Sequence, residues 1–132
     1  MRYVGFFIFL LFLTHFSYAE EPAPTICPSV KAIRSVGVNK SRSGYPFANF
    51  IVTHDPIVPY DTEQPWELSM FMDDWFESDA MKNAKKGLEN LEFTSGPIHE
   101  DWGGYDKWTC NYQTHYAKEV VMEFYRLKIN RS

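Results

Sequence analysis

Two cysteines, Cys27 and Cys110, stand 83 positions apart in a chain of 132 residues. No other feature restricts the fold as much, because a bond between them ties the start of the folded chain to a point near its end. Whether they pair depends on the compartment. Residues 1–19, MRYVGFFIFLLFLTHFSYA, place Arg2 ahead of an apolar run from Tyr3 to Leu13. A more polar THFSYA follows, with Ser17 and Ala19 at −3 and −1 of a cleavage site. This is the three-part pattern of a secretory signal peptide, and its apolar run falls short of the roughly 20 residues that span a bilayer. Cleavage after Ala19 predicts a secreted or periplasmic protein with no membrane attachment afterwards. An even cysteine count in an oxidising compartment then predicts a Cys27–Cys110 disulfide. Two other uses are less well supported. A nucleophilic cysteine with His54, His99 or His115 as base lacks any local protease signature. Haem ligation by the thiolate of the Cys-Pro pair in ICPS is lost on oxidation.

The remaining chain predicts one domain, 27–132, behind a flexible leader at 20–26. Loss of Arg2 takes the formal net charge from −4 to −5. That balance argues against nucleic acid as a partner, since phosphate binding calls for clustered Lys and Arg. The single basic cluster, KNAKK at 82–86, reads as a solvated helix face. Seventeen per cent aromatic residues is enough for a real core and argues against disorder.

PSVKAIRSVG (28–37) predicts a brief helix, with Pro28 in its first turn and Gly37 at its end. NKSRSGYP (39–46) reads as a polar loop. FANFIVTH (47–54) alternates as a strand does, and Pro56 and Pro59 stop it. WELSMFMD repeats the alternation, with Trp66, Leu68, Met70 and Met72 on one face. In SDAMKNAKKGLENLE, Ala80, Met81, Ala84, Leu88 and Leu91 form one helical stripe. Ser78 is placed to cap that helix, and Gly87 costs it about 1 kcal/mol relative to Ala. EFTSGPIHED predicts an interrupted strand and WGGYD a turn. KWTCNYQT puts Trp108, Cys110 and Tyr112 on one core-facing side. YAKEVVMEFYRLKI fits either a helical stripe or a strand; its β-branched and aromatic content favours the strand of a hairpin. The order α-β-β-α-β-β-β predicts an α+β domain, an antiparallel sheet of four to five strands with two helices packed on it. No internal repeat is visible.

Motifs for Gly-x-Ser-x-Gly, His-Glu-x-x-His and glycine-rich phosphate loops are absent, and a non-catalytic protein is expected. Neighbouring His99, Glu100 and Asp101 on a strand face opposite sides and do not converge on a metal. The unexplained surplus is aromatic. His99, Trp102, Tyr105, His115 and Tyr116 lie at or beside turns, where rings suit a planar apolar ligand and a His or Tyr can hold haem iron. The bland alternative is that loops bury these rings as satellite clusters.

CPSVKAIRSVGV, the tryptophan-bearing PWELSM, the helix DAMKNAKKGLENL and the late Trp108-Thr109-Cys110-Asn111-Tyr112 together carry a resemblance. They resemble a family of small secreted bacterial proteins of unassigned mechanism, some of them called hemin-binding proteins. The resemblance implies haem capture and brings no ligand residues with it. From the residues alone, His99, His115 and Tyr105 are candidate iron ligands, with Trp102 and Tyr116 as stacking walls. Lys107 and Lys118 are the nearest cations for the propionates. A second reading is a disulfide-braced module that binds another protein through an exposed aromatic patch.

Overall fold

The computed structural model describes residues 21–128. The signal peptide assigned to 1–19 lies outside the described residues. Within them the chain forms α1 (Val30–Val36), β1 (Lys40–Ser43), β2 (Phe50–Thr53), β3 (Glu67–Met72), α2 (Glu77–Glu89), β4 (Glu92–Asp101), β5 (Tyr105–Gln113) and β6 (Glu119–Leu127). The class is α+β as expected, but the sheet has six strands rather than four to five. All neighbours are antiparallel, in the order β1-β2-β3-β6-β5-β4.

That order reads the same from either edge. One helix and a three-stranded meander occur twice in sequence, and the two meanders join through the central β3–β6 pair. The repeat is one of topology, which explains why residue identities did not show it. Helix α2 lies over β1–β3. The chain entering α1 is fixed to β5 by the Cys27–Cys110 disulfide and by Tyr112, whose hydroxyl donates to the Pro28 carbonyl.

Register explains the core. Trp108, Cys110 and Tyr112 of β5 stand opposite Phe124, Met122 and Val120 of β6. Leu68 and Met70 of β3 pair with Met122 and Val120, and Val52 of β2 pairs with Met70. All these side chains are buried, on the face the helices cover, with Ile33, Ala80, Ala84 and Leu88 above them. The period-2 burial of such residues is what drives a half-covered antiparallel sheet. The segment 119–127 is therefore a strand, because its odd and even residues face two different environments.

Three local expectations change. The loop at 39–46 contains β1, a polar edge strand whose Lys40 and Arg42 make ion pairs with Asp55 and Glu67. Pro28 precedes helix α1 instead of opening it: Ser29 is the N-cap, and its Oγ accepts from the Ala32 amide at 3.0 Å. Gly37 closes α1 at φ 78° and ψ −162°, a backbone conformation that favours glycine, and its amide donates to the Ile33 carbonyl at 2.9 Å. Ser78 lies inside the first turn of α2, whose N-cap is Phe76 with no side-chain cap.

Strand β4 is interrupted, as read, by register shifts around Ser95. Gly96 sits there at φ 128°, so close to β5 that a Cβ would lie 2.8 Å from the Thr109 carbonyl oxygen and 3.0 Å from Cys27 Sγ. Only glycine fits beside the disulfide. Residues 21–26, read as a leader, lie along the domain: Pro24 is buried, Gln64 Nε2 donates to the Pro22 carbonyl, and Arg126 Nη1 donates to the Glu21 carbonyl.

Candidate functional site

Strand β5 separates the residues that the sequence crowds together. Its nine residues run from the β4–β5 hairpin to the β5–β6 turn. At about 3.4 Å per residue, the two ends lie roughly 27 Å apart. The five candidate ligand residues fall in three places.

His99 lies on the helix-covered face at the β4 edge. It pairs with Trp108, stacks on its ring at 4.7 Å, and places Nε2 2.9 Å from Asp106 Oδ1. Asp106 is only 2 % exposed, and its second oxygen accepts from Arg126 Nη2 at 3.1 Å. The Arg126 guanidinium also lies 4.8 Å from the Trp108 ring centre. This cluster braces one end of the sheet, and it commits His99 Nε2 to Asp106. Asp106 and Arg126 escaped sequence reading because they are 20 residues apart; only the β5–β6 register brings them together.

Trp102 and Tyr105 occupy the hairpin end of the opposite, open face. Their rings stack at 6.1 Å, Tyr105 meets Tyr125 at 5.7 Å, and Lys107 Nζ stands 5.3 Å over Trp102.

His115 and Tyr116 lie at the far end, in the β5–β6 turn, with ring centres 4.4 Å apart. Three connections meet here: residues 44–49, 73–76 and 114–118. Backbone and side-chain bonds hold them together. The Asn49 amide donates to the Met72 carbonyl at 3.1 Å and its side chain to the Asp73 carbonyl at 3.0 Å. The Lys118 amide donates to the Phe71 carbonyl, and its Nζ to the Phe47 carbonyl, each at 2.8 Å. Asn83 Nδ2 holds Asp74 Oδ1 at 2.7 Å, which ties the 73–76 segment to α2.

Between the 73–76 and 114–118 connections and the start of α2 opens a solvent-open concavity of about 650 Å³, lined by Trp75, Phe76, His115 and Tyr116 among others. Trp75 is 84 % exposed and Phe76 68 % exposed. Such rings in water are costly unless something covers them. No hydrogen bond engages the His115 imidazole among the described residues, so both ring nitrogens are open to a ligand. Asp73, Asp74 and Asp79 make the α2 side of the concavity acidic, and Lys118 is its cation. Trp75 and Phe76 were missed as site residues. Their signal was present: an aromatic pair between Asp73-Asp74 and Glu77 has no place in either alternating strand or helical stripe.

Among the described residues there is no cluster of three or more His, Cys, Asp or Glu that could hold a metal by itself. No described helix is long and apolar enough to cross a membrane. The disulfide is compatible with an extracellular or periplasmic location. Comparison with protein-family models, with curated proteins and with solved structures gave no match.

Proposed function

We propose that this is a non-catalytic, exported capture protein for a planar apolar ligand of the haem class, bound at the β5–β6 end of the sheet. The observation that carries the reading is the open His115 imidazole beside Tyr116, at a concavity walled by the two solvent-exposed rings of Trp75 and Phe76. Imidazole and phenol are among the side chains that ligate haem iron, and flat rings supply a stacking surface for it. His115 is the assigned iron ligand. Trp75, Phe76 and Tyr116 cover the apolar plane. In this reading the propionates turn away from the acidic α2 side and toward Lys118. The sequence resemblance to a family of small secreted bacterial proteins of unassigned mechanism, some of them called hemin-binding proteins, would imply the same ligand class.

The test is a titration of the oxidised protein with hemin, followed at the Soret band. A saturable, red-shifted band is expected. His115→Ala abolishes it, Trp75→Ala weakens it, and His99→Ala leaves it unchanged because His99 Nε2 is held by Asp106. A band lost with His99 but kept without His115 refutes the assignment. A protein partner is the second reading, favoured by one observation: Tyr45 and Phe47, both largely exposed on the adjoining 44–49 loop, extend the aromatic surface beyond the concavity. Failure of any saturable Soret shift turns the reading to that partner.

A further inference from the structure

The sheet face opposite the helices carries a second candidate surface, independent of the haem reading. One bare face of an antiparallel sheet is ordinarily polar. Here Ile51 and Val121 point outward on it and are still only 6 % exposed, and Phe71 lies between their strands. Phe47 and Ile98, both exposed, rise at the two sides and leave a groove of about 390 Å³ over β3, β6 and β5. The groove's charge is one-sided. Glu100, Glu119 and Glu123 line it against a single cation, Lys107, and Lys107 Nζ is already bound to Glu123 Oε2 at 2.7 Å. Glu123 also accepts from the Tyr125 hydroxyl at 3.1 Å, so the pair is fixed in place. Glu100 and Glu119 are solvent-exposed at opposite ends of the groove.

We propose that this groove docks a short basic segment of a partner polypeptide, with an apolar side chain on Val121 and Phe71 and cationic side chains reaching Glu100 and Glu119. Phe71 and the exposed rims Phe47 and Ile98 supply apolar area, and the two outer carboxylates set the charge the partner must carry. The run from Lys107 to Asn111 along β5 is about 14 Å, which accommodates four or five extended residues. An acidic or purely polar segment is rejected, the first by like charge and the second by leaving that apolar area uncovered.

The probe is the peptide acetyl-Lys-Val-Lys-Val-Lys-amide, titrated into the ¹⁵N-labelled oxidised protein. Saturable amide shifts at Thr109, Val121 and Glu123 are expected. Glu100→Gln with Glu119→Gln should weaken binding about tenfold, as two partly screened rim charges do. Ile98→Ser, an exposed edge substitution, should weaken it as well, while His115→Ala leaves it unchanged. Three results overturn the proposal: no saturable shift, shifts centred on Trp75 and His115, or equal binding by acetyl-Lys-Ser-Lys-Ser-Lys-amide or spermine, which would reduce the groove to unspecific charge.

Discussion

Breaking the Cys27–Cys110 bond should cost this domain a large share of its stability, and the size of the effect follows from the position of the bond. The crosslink spans 83 residues. On the chain-entropy model, closing a loop of that length removes about 4.5 kcal/mol of freedom from the unfolded chain. A domain of this size has roughly 5–15 kcal/mol in all. Packing enters separately: Cys110 is fully buried in the core, so replacing it by Ala adds a void and a loss on the order of 1 kcal/mol. Two comparisons distinguish the effects. Reduced protein keeps both sulfurs and loses only the link; the Cys27→Ala, Cys110→Ala variant loses both. Urea unfolding followed by fluorescence of the buried Trp66 and Trp108 should show the reduced midpoint lower by about 2 M, for a slope near 2 kcal/mol/M. The loss should also be unequal along the chain. Helix α1 has seven residues and one buried side chain, too little to persist alone. Amide exchange in 30–36 should therefore rise before exchange in β5 and β6. A difference below about 1 kcal/mol between oxidised and reduced protein, at unchanged slope, would refute the reasoning.

Gly87→Ala should fail to deliver the gain of about 1 kcal/mol that helix propensity promises, because the new Cβ meets Thr114 Cγ2 at 3.0 Å; pairing it with Thr114→Ser removes that methyl, and thermal unfolding should then show the gain. Stability should fall in alkali. Burial pushes the Tyr60 phenol from 10.0 to about 12, and raises Tyr112 for the same first cause, with Asp61 and Tyr60 adding to it. The folded state then holds protons that the unfolded state loses, so this contribution is complete below pH 10 and is lost as pH rises through about 12. Urea midpoints at pH 9, 10.5 and 11.5 should decline, and less steeply in Tyr60→Phe; a flat profile would contradict the assignment.

Where one face was buried and the other wet, the sequence pattern was sufficient. Strand β5 and the stripe on α2 show that contrast; β2 and β3 were legible from their alternating residues although Ile51 and Ser69, on the opposite face, are buried as well, and β-branched content decided correctly for β6. Strand β1 gives no such signal, because Lys40, Ser41, Arg42 and Ser43 are polar on both faces and the strand exists by pairing with β2 at a sheet edge. The Gly87 penalty was read from propensity alone, but the glycine is there to let α2 approach Thr114 and Met70. The candidate site was legible only in part. His115 and Tyr116 were found, yet proximity in sequence joined them to His99, Trp102 and Tyr105, which an extended strand carries elsewhere. Non-local pairing made the Asp106–Arg126 contact and assembled the 44–49, 73–76 and 114–118 connections, and neither has a signature within a single segment.

The mirrored strand order explains why binding chemistry collects where it does. Both helices are spent on one face, so the opposite face and the sheet ends are what remain for recognition. At the His115 end, the connections come from both halves: 44–49 and the start of 73–76 belong to the first meander, 114–118 to the second. Their relative position depends on the β3–β6 pairing that joins the halves, with the Lys118 amide bound to the Phe71 carbonyl across that seam. The groove crosses the same seam, since Phe71 comes from the first meander and Val121 and Thr109 from the second. Neither surface exists in half of the chain, and a site shared in this way is only as ordered as the junction beneath it. The disulfide lies on the other face, where it anchors the chain entering α1, from the first half, to β5 of the second. Reduction should therefore weaken both binding surfaces through the loss of global stability, with no contact to either ligand.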